Sequence, residues 1–410
     1  MSARFMMGDF SWLGMPPLAA LLASLDSEGE EARVVGGAVR NALLGEEVVE
    51  WDIATTALPD AVVARARAAG WKTAPTGIAH GTVTVIVDHR PFEVTTLRED
   101  IQTDGRHAVV RFGRDFRADA FRRDFTINAI SVSRDGTLHD YAQGIEDIAE
   151  RRVRFIGDAD RRIAEDYLRI LRLFRFHARY GDGPIDRDSF TATIRGREGL
   201  RQLSAERIHA ELLKLMMAKG AGDVLAEIDG AGFLALVLGG VARVAAFRRL
   251  TALEAANALA PDAVRRLAVL SLFTRADAVR IAALLRLSNV ETKRIAAIAL
   301  LVESLREPPS LARARELLYR LGRAGFEDGL LAAAAHAPES DFGPALALAS
   351  TWPVPRNPFG GRDVAHLGIP AGPQVGQILS RAEQRWIQAG FPVDRQVQLS
   401  ILQDAARPEP

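Results

Sequence analysis

The chain has 410 residues, 48% of them hydrophobic and 25% charged, enough apolar material for a few domains at roughly 100–200 residues each and too much for a mainly disordered chain. Cysteine is absent, which excludes disulfides, thiolate metal sites and a cysteine nucleophile. Lys+Arg and Asp+Glu balance at 52 each, so the whole-chain average gives no sign of a phosphate-rich partner.

All but four of the basic residues (Lys72, Lys214, Lys219 and Lys293) are arginine, a bias that a GC-rich genome explains without function. Met1 to Asp9 lacks a cationic stretch followed by a long apolar run, and no run of about 20 apolar residues occurs anywhere. The expectation is a cytoplasmic chain with no membrane partner.

In chain order, Ala32 to Val35 forms a short apolar run ending in Gly36-Gly37, and a helical stretch follows from Ala38 to Leu44, stopped by Gly45. Trp51 to Ala54 is a second short strand, and Pro59 opens a helix to about Ala69. Thr82 to Val87 and Pro91 to Leu97 are strands around the turn Asp88-His89-Arg90. Arg98 to Asp119 is polar, dense in both charges and interrupted by Gly105 and Gly113, and is expected to be a mobile loop. Ile127 to Ser133 completes the strand set.

From about Ile145 the pattern turns helical. Ile163 to Tyr180 is the clearest helix, with Ile163, Tyr167, Ile170, Leu171, Phe174 and Ala178 on one face. Gly220 to about Ala335 is rich in Ala, Leu and Arg with short breaks. Glu307-Pro308-Pro309 is one break, Trp352 to Gly361 is a Pro/Gly-rich linker, and a helix from about Pro373 to Ala389 closes the fold.

Four groups carry chemistry. Gly36-Gly37, with Arg40 one turn on, joins a strand to a helix N-terminus whose free N–H groups suit an anion, although a tight turn alone explains such a pair. Glu50 and Asp52 flank Trp51, and alternation in a strand places both carboxylates on one face, with Glu93 offering a third. Such a set suits Mg²⁺, which takes oxygen ligands and keeps phosphate oxygens and water among them. A solvated strand face explains any one pair equally well.

Arg122-Arg123-Asp124, followed by Asn128, can hold a triphosphate and a ribose hydroxyl, or can be a salt-bridged strand entry. Asp166 and Arg169, with Arg172 and Arg175 behind them, sit at helical spacing and by that alone form an ordinary helix ion pair. Cytosine and adenine share an amino donor beside a ring-nitrogen acceptor. A carboxylate and a guanidinium side by side match that pattern and repel guanine and uracil. Arg151 to Tyr180 holds nine arginines against four acids, so neutrality is not local.

These groups, in this order, resemble the class II tRNA nucleotidyltransferase family, which includes the CCA-adding enzymes and the bacterial poly(A) polymerases. Val35 to Asn41 through Glu50 to Thr55 match its first motif, and Arg122 to Ala129 its second. Glu165 to Arg169, with Arg172 and Arg175, match its nucleotide-selecting motif. Glu206-Arg207-Ile208, with Glu211 and Lys214, match its last. Gly368 to Trp386 is similar to the family's C-terminal helical region.

The resemblance implies an α+β fold: an α/β nucleotidyltransferase head with a small mixed sheet over 1–142, then an all-α neck that selects the nucleotide over 143–228, a body over 229–335 and a tRNA-binding tail over 336–410. The implied activity is template-independent addition of CCA to the tRNA 3′ end from CTP and ATP by two-metal nucleotidyl transfer with Mg²⁺, releasing diphosphate. Glu50 and Asp52 would hold the metals, with Glu93 as third carboxylate. Gly36, Gly37, Arg40, Arg122, Arg123, Asp124 and Asn128 would hold triphosphate and ribose. Asp166 and Arg169 would read the base with Arg172 and Arg175 in support. The family pattern usually begins its carboxylate pair with Asp, and here Glu50 stands first.

Poly(A) tailing and CC-only or A-only addition are the rivals within the family. A Rossmann dinucleotide fold lacks its G-x-G-x-x-G spacing here, and a non-catalytic RNA-binding helical protein leaves the carboxylates unused. His139-Asp140, the only His-Asp pair, does not build a second active site. The sequence does not reveal an oligomeric state.

Overall fold

Strand alternation organises the first part of the chain. The structure, a computed structural model, describes residues 8–77, 81–103 and 108–407. The leader reading at Met1 to Asp9 therefore falls mostly outside the described residues, as does Gly105. Contacts divide the chain into two compact units, Met1–Gly240 and Val241–Pro410.

The first unit is built on a seven-stranded mixed sheet. Its elements begin with α1 (Pro16–Leu25), β1 (Ala32–Val35), α2 (Gly37–Leu44), β2 (Asp52–Thr55) and α3 (Pro59–Ala68), followed by β3 (Lys72–Gly77), β4 (Thr82–Val87) and β5 (Arg90–Thr96). After a separate hairpin and helix come β8 (Ile130–Ser133) and β9 (Leu138–Asp140), and the sheet order is β3-β4-β5-β2-β1-β8-β9. The pairings are antiparallel except β2 with β5.

Val83, Val85 and Val87 of β4 are buried at every second position, and Val83 and Val85 register against Val94 and Phe92 of β5. Leu18, Leu21, Leu22 and Leu25 of α1 and Val62 and Ala66 of α3 are buried, and both helices contact β4. Burying such side chains stabilises by about 1.5–3 kcal/mol each. Asp88 and His89 form the two-residue turn between β4 and β5, both at positive φ, which suits the twist of a tight hairpin.

Two expectations need correction here. The polar segment from Arg98 is no open loop: β6 (Arg98–Thr103) pairs antiparallel with β7 (Ala108–Phe112), and α4 (Phe116–Phe121) follows, capped by Asp115. Ile127 to Ser133 is not one strand either. Thr126–Asn128 is a 3-10 turn, and β8 starts only at Ile130.

A third correction concerns the best helix. The chain after α5 (Gly144–Ala149) forms α6 (Ala159–Glu165), breaks, and resumes as α7 (Leu168–Tyr180). Asp166 is extended at φ −159°, and its Oδ1 accepts from Leu168 N at 3.0 Å, so the carboxylate restarts the helix instead of riding on its face. Tyr167 at the break lies against Gly199, where an added Cβ would fall 2.0 Å from the ring. Helices α8 (Arg187–Gly196), α9 (Ala205–Met216), α10 (Ala221–Gly230) and α11 (Phe233–Leu238) complete the unit.

The second unit is helical throughout: α12 (Val244–Ala256), α13 (Ala263–Ser271), α14 (Arg275–Leu284), α15 (Asn289–Ser304), α16 (Leu311–His336), α17 (Gly343–Thr351), α18 (Gly361–Ala365), α19 (Pro373–Gln388) and α20 (Arg395–Ala406). The proline break falls between α15 and α16, and the Pro/Gly-rich linker between α17 and α18. Helix α20 lies beyond the helix expected to close the chain. Trp386, Phe359, Phe391 and Leu402 form one core, and Phe326, Leu330 and Phe342 belong to another. Among the described residues no helix is long and apolar enough to cross a membrane.

Candidate nucleotidyl-transfer site

The site grows from the end of β1. Gly36 lies at φ 71°, ψ −121°, a conformation that favours glycine, and a Cβ there would come within 3.2 Å of Arg123 Nη1. Helix α2 starts at the next residue, so its first N–H groups emerge beside that guanidinium. β1 registers Val35 against Asp52, and β2 registers Asp52 against Glu93. Asp52 and Glu93 therefore project on one face, opposite the one that buries Ile53 and Val94.

Glu50 precedes β2, so strand alternation does not orient it. Its charge still reaches Asp52: partial burial first, then Glu93 and also Glu50, push the Asp52 carboxyl above the ordinary range, with Arg123 opposing. Among the described residues no three His, Asp or Glu side chains close into a metal cage. Asp52 and Glu93, side by side on one face, are oxygen donors of the kind that a hard cation takes together with outside ligands.

The arginines are held in place by partners. Arg122 Nε meets Asp119 Oδ1 at 2.7 Å, and Arg123 Nη2 meets Asp119 Oδ2 at 3.2 Å. Asp119 was missed because its segment looked like loop. On α4 it stands three and four residues before the arginines, the spacing that pairs side chains on a helix.

Arg40 is buried rather than free at the helix start. Nη1 donates to Asn128 Oδ1 at 2.5 Å, Nη2 to Tyr180 Oη at 2.8 Å, and the fork also reaches Asn41 Oδ1. Asn128 in turn donates to Asp124 Oδ1 at 3.1 Å, and Asp124 Oδ2 receives Arg172 Nε and Nη2 at 2.8 and 2.5 Å. Burial works against the Asp124 charge, but Arg172 and Asn128 outweigh it and hold the carboxyl below its usual range. Tyr180 is the second partner that sequence reasoning missed. Its only signal was the interleaving of Arg172, Arg175 and Arg179 with Phe176 and Tyr180.

The expected Asp166–Arg169 ion pair does not form, because the helix break separates the two side chains. Asp166 Oδ2 meets Arg207 Nη2 at 2.7 Å, and Arg169 Nη1 meets Glu165 Oε2 at 2.6 Å. Glu165 also holds Arg162 at 2.8 Å, and Arg162 donates to the Phe121 carbonyl at the end of α4. Arg175 Nε meets the buried Glu211 at 2.6 Å. His139 and Asp140 serve local structure: His139 Nε2 pairs with Ser133 Oγ, and Asp140 accepts from three backbone N–H groups.

A sheet presenting paired carboxylates beside a Gly-Gly helix start, with arginines banked behind it, defines a nucleotidyltransferase head. Residues 32–154 match the model of the poly A polymerase head domain. The CCA tRNA nucleotidyltransferase 1, mitochondrial, of Danio rerio is 33% identical over 418 residues, covering 96% of this chain and 92% of that protein. The chain thus belongs to the CCA tRNA nucleotidyltransferase family. The CCA-adding enzyme of Leuconostoc citreum is 41% identical over 207 residues, half of each chain. The structure of the Bacillus stearothermophilus CCA-adding enzyme in complex with CTP superposes with a TM-score of 0.73 at 26% identity, covering 95% of this chain and 97% of that one.

Proposed function

We propose that the protein adds CCA to the 3′ end of tRNA, transferring CMP from CTP and then AMP from ATP and releasing diphosphate at each step. The observation that carries this reading is the pairing of Asp52 with Glu93 next to the Gly36 turn and Arg123. The names of the relatives support full CCA addition over poly(A) tailing or partial addition.

Glu50 and Asp52 are the proposed metal ligands, with Glu93 the third carboxylate. The like-charge crowding at Asp52 fits a divalent cation, which we take to be Mg²⁺. When bound, that cation lowers the cost of developing charge on the attacking and leaving oxygens. The RNA 3′-oxygen forms a bond to the α-phosphorus as its proton leaves, and the bond from that phosphorus to the diphosphate oxygen breaks.

The backbone N–H groups after Gly36 and Gly37 face the triphosphate, and Arg122 and Arg123 neutralise it from the Asp119 anchor. Arg40, Asn128 and Asp124 fix the floor beneath it. Asp166 and Arg169 read the amino group and ring nitrogen of the base, exchanging Arg207 and Glu165 for the nucleotide, while Arg172 and Arg175 hold α7 in place. The four-part division, head 1–142, neck 143–228, body 229–335 and tail 336–410, is proposed with this function. A cytoplasmic compartment rests on the sequence reading alone, since the relatives include mitochondrial proteins.

The test is incubation of a tRNA lacking its 3′ CCA with each labelled nucleoside triphosphate and Mg²⁺. Incorporation of C and then A, without G or U, is expected. A long A tail or no incorporation overturns the reading.

A further inference from the structure

Ahead of α1 the chain makes one 3-10 turn, Ser11–Gly14. Leu13 N donates to Phe10 O at 2.9 Å and Met15 N to Trp12 O at 3.0 Å, while Asp9 Oδ1 accepts from Ser11 N at 2.9 Å. The course from Asp9 to Met15 is therefore fixed by its own hydrogen bonds. None of the groups assigned to nucleotide, metal or RNA lies in this stretch.

The stretch nevertheless touches each of the three elements that carry the catalytic groups. Its start lies against α2: a Cβ added at Gly8 would fall 3.1 Å from Ala42 O and 3.0 Å from the Phe10 ring. Phe10 packs edge-on to Trp12, with ring centroids 5.7 Å apart. Trp12 packs at 6.5 Å on Trp51, the residue between Glu50 and Asp52. Trp51 packs in turn at 6.2 Å on Phe92, the residue before Glu93. Arg90 Nη1, at the start of β5, donates to Met15 Sδ at 3.2 Å.

Phe92 is buried and shares the inner face of β5 with Val94, opposite Glu93. Trp51 therefore lies behind the carboxylate face, and Trp12 backs it. β2 begins only at Asp52, so no strand pairing holds Glu50 or Trp51. The indole nitrogens of Trp12 and Trp51 are buried with no hydrogen-bond partner among the described residues, so ring packing orients both side chains.

We propose that Trp12 is a positioning residue for nucleotidyl transfer: through Trp51 it sets the chain from Glu50 to Asp52 relative to Glu93, and with it the spacing of the metal-binding carboxylates. The inference rests on the carboxylate reading above. A brace serving only the start of α1 would change thermal melting and leave metal affinity and turnover alone.

The experiment uses full-length Trp12→Ala, Trp12→Phe and Gly8→Ala. Mn²⁺ binding to the nucleotide-free protein is followed by the paramagnetic resonance of the free ion. Labelled CTP and ATP incorporation into a tRNA lacking its 3′ CCA is measured below the melting temperature of each variant. Trp12→Ala is expected to weaken Mn²⁺ binding and to lower kcat, each roughly tenfold, the lower end of what groups behind metal ligands contribute. The ratio of C to A incorporated should stay the same, because the base readers sit at α6 and α7. Trp12→Phe keeps a ring and loses only an N–H without a partner, so it should restore most of both values. Gly8→Ala, which crowds Ala42 O and the Phe10 ring, should shift both in the same direction by less, and it carries the test if Trp12→Ala does not fold. Wild-type Mn²⁺ affinity and kcat in the folded variant overturn the proposal, as does a Trp12→Phe protein as impaired as Trp12→Ala. A wild type that binds Mn²⁺ in a Trp12-dependent way but incorporates neither C nor A would instead remove the functional reading.

Discussion

Arg40 Nη2 donates to the Tyr180 hydroxyl at 2.8 Å, while the Tyr180 ring lies 4.2 Å from the guanidinium carbon. The bond ties the helix that follows the Gly-Gly turn to the end of α7, and both residues are buried. Burial lowers the Arg40 pKa, and the opposing effects of Tyr180 and Glu46 do not cancel it. Tyr180→Phe keeps the ring and removes the acceptor. A hydrogen bond to a charged group contributes about 1.5–3 kcal/mol, so urea unfolding should show a loss of that size. With Arg40 loosened, KM for CTP and for ATP should rise by the same factor, because the defect lies under the triphosphate and not at the base. A change confined to one nucleotide would refute this placement.

Asp52 and Glu93 face each other across parallel strands. Removing one charge relieves repulsion but removes an oxygen donor. Asp52→Asn is therefore expected to fold as well as the parent or slightly better, yet to lose at least about two orders of magnitude in labelled CTP incorporation, the scale seen when electrostatic stabilisation is deleted. Glu50→Asp keeps the ligand chemistry and shortens it by one methylene, so activity should persist. Normal turnover by Asp52→Asn would sink the carboxylate assignment.

The two base-reading candidates are held apart by different partners, Asp166 by Arg207 and Arg169 by Glu165. Asp166→Ala should lose discrimination against G and U, since the amino acceptor is gone. Arg207→Met should relax selection by a smaller factor, through a carboxylate that is present but less well oriented. Competition assays with mixed nucleotides measure both. Because Asp166 and Arg207 act as one unit, the double variant should be no worse than Asp166→Ala.

The sheet was legible where burial dictates pattern. β4 and the β4–β5 turn follow from alternation and turn chemistry and β1 from its unbroken apolar run, whereas the register of Asp52 against Glu93 joins strands 41 residues apart and is set by the fold. What the sequence concealed was the fate of side chains that meet over long separations. Arg40 and Tyr180 are 140 residues apart, and Asp166 and Arg207 are 41 apart. Helical periodicity runs through Asp166 without interruption, so the break was invisible. It is set by the carboxylate capping Leu168 and by the room that Gly199 leaves for Tyr167. The Arg98–Phe112 hairpin was hidden by its charge, because strand signals rest on apolar alternation that this segment lacks.

His336 provides the clearest pH signature. Burial first, then Arg243, Arg249 and Arg306, push its pKa down to about 4, against a slight opposing contribution from the Val269 backbone. Unfolded, the imidazole titrates near its model value of 6.5. Between these values the unfolded chain binds the extra proton and the folded chain does not, so stability falls as pH drops from about 6.5 to about 4 and is fully present above that window. The shift corresponds to at most about 3 kcal/mol. Carboxylates titrate in the same range, so the comparison must be with His336→Gln, which keeps a polar side chain without the titration. Unfolding free energies at pH 7 and pH 4.5 should differ more for the wild type than for the variant. Equal differences would show that His336 is not held neutral by the arginines around it.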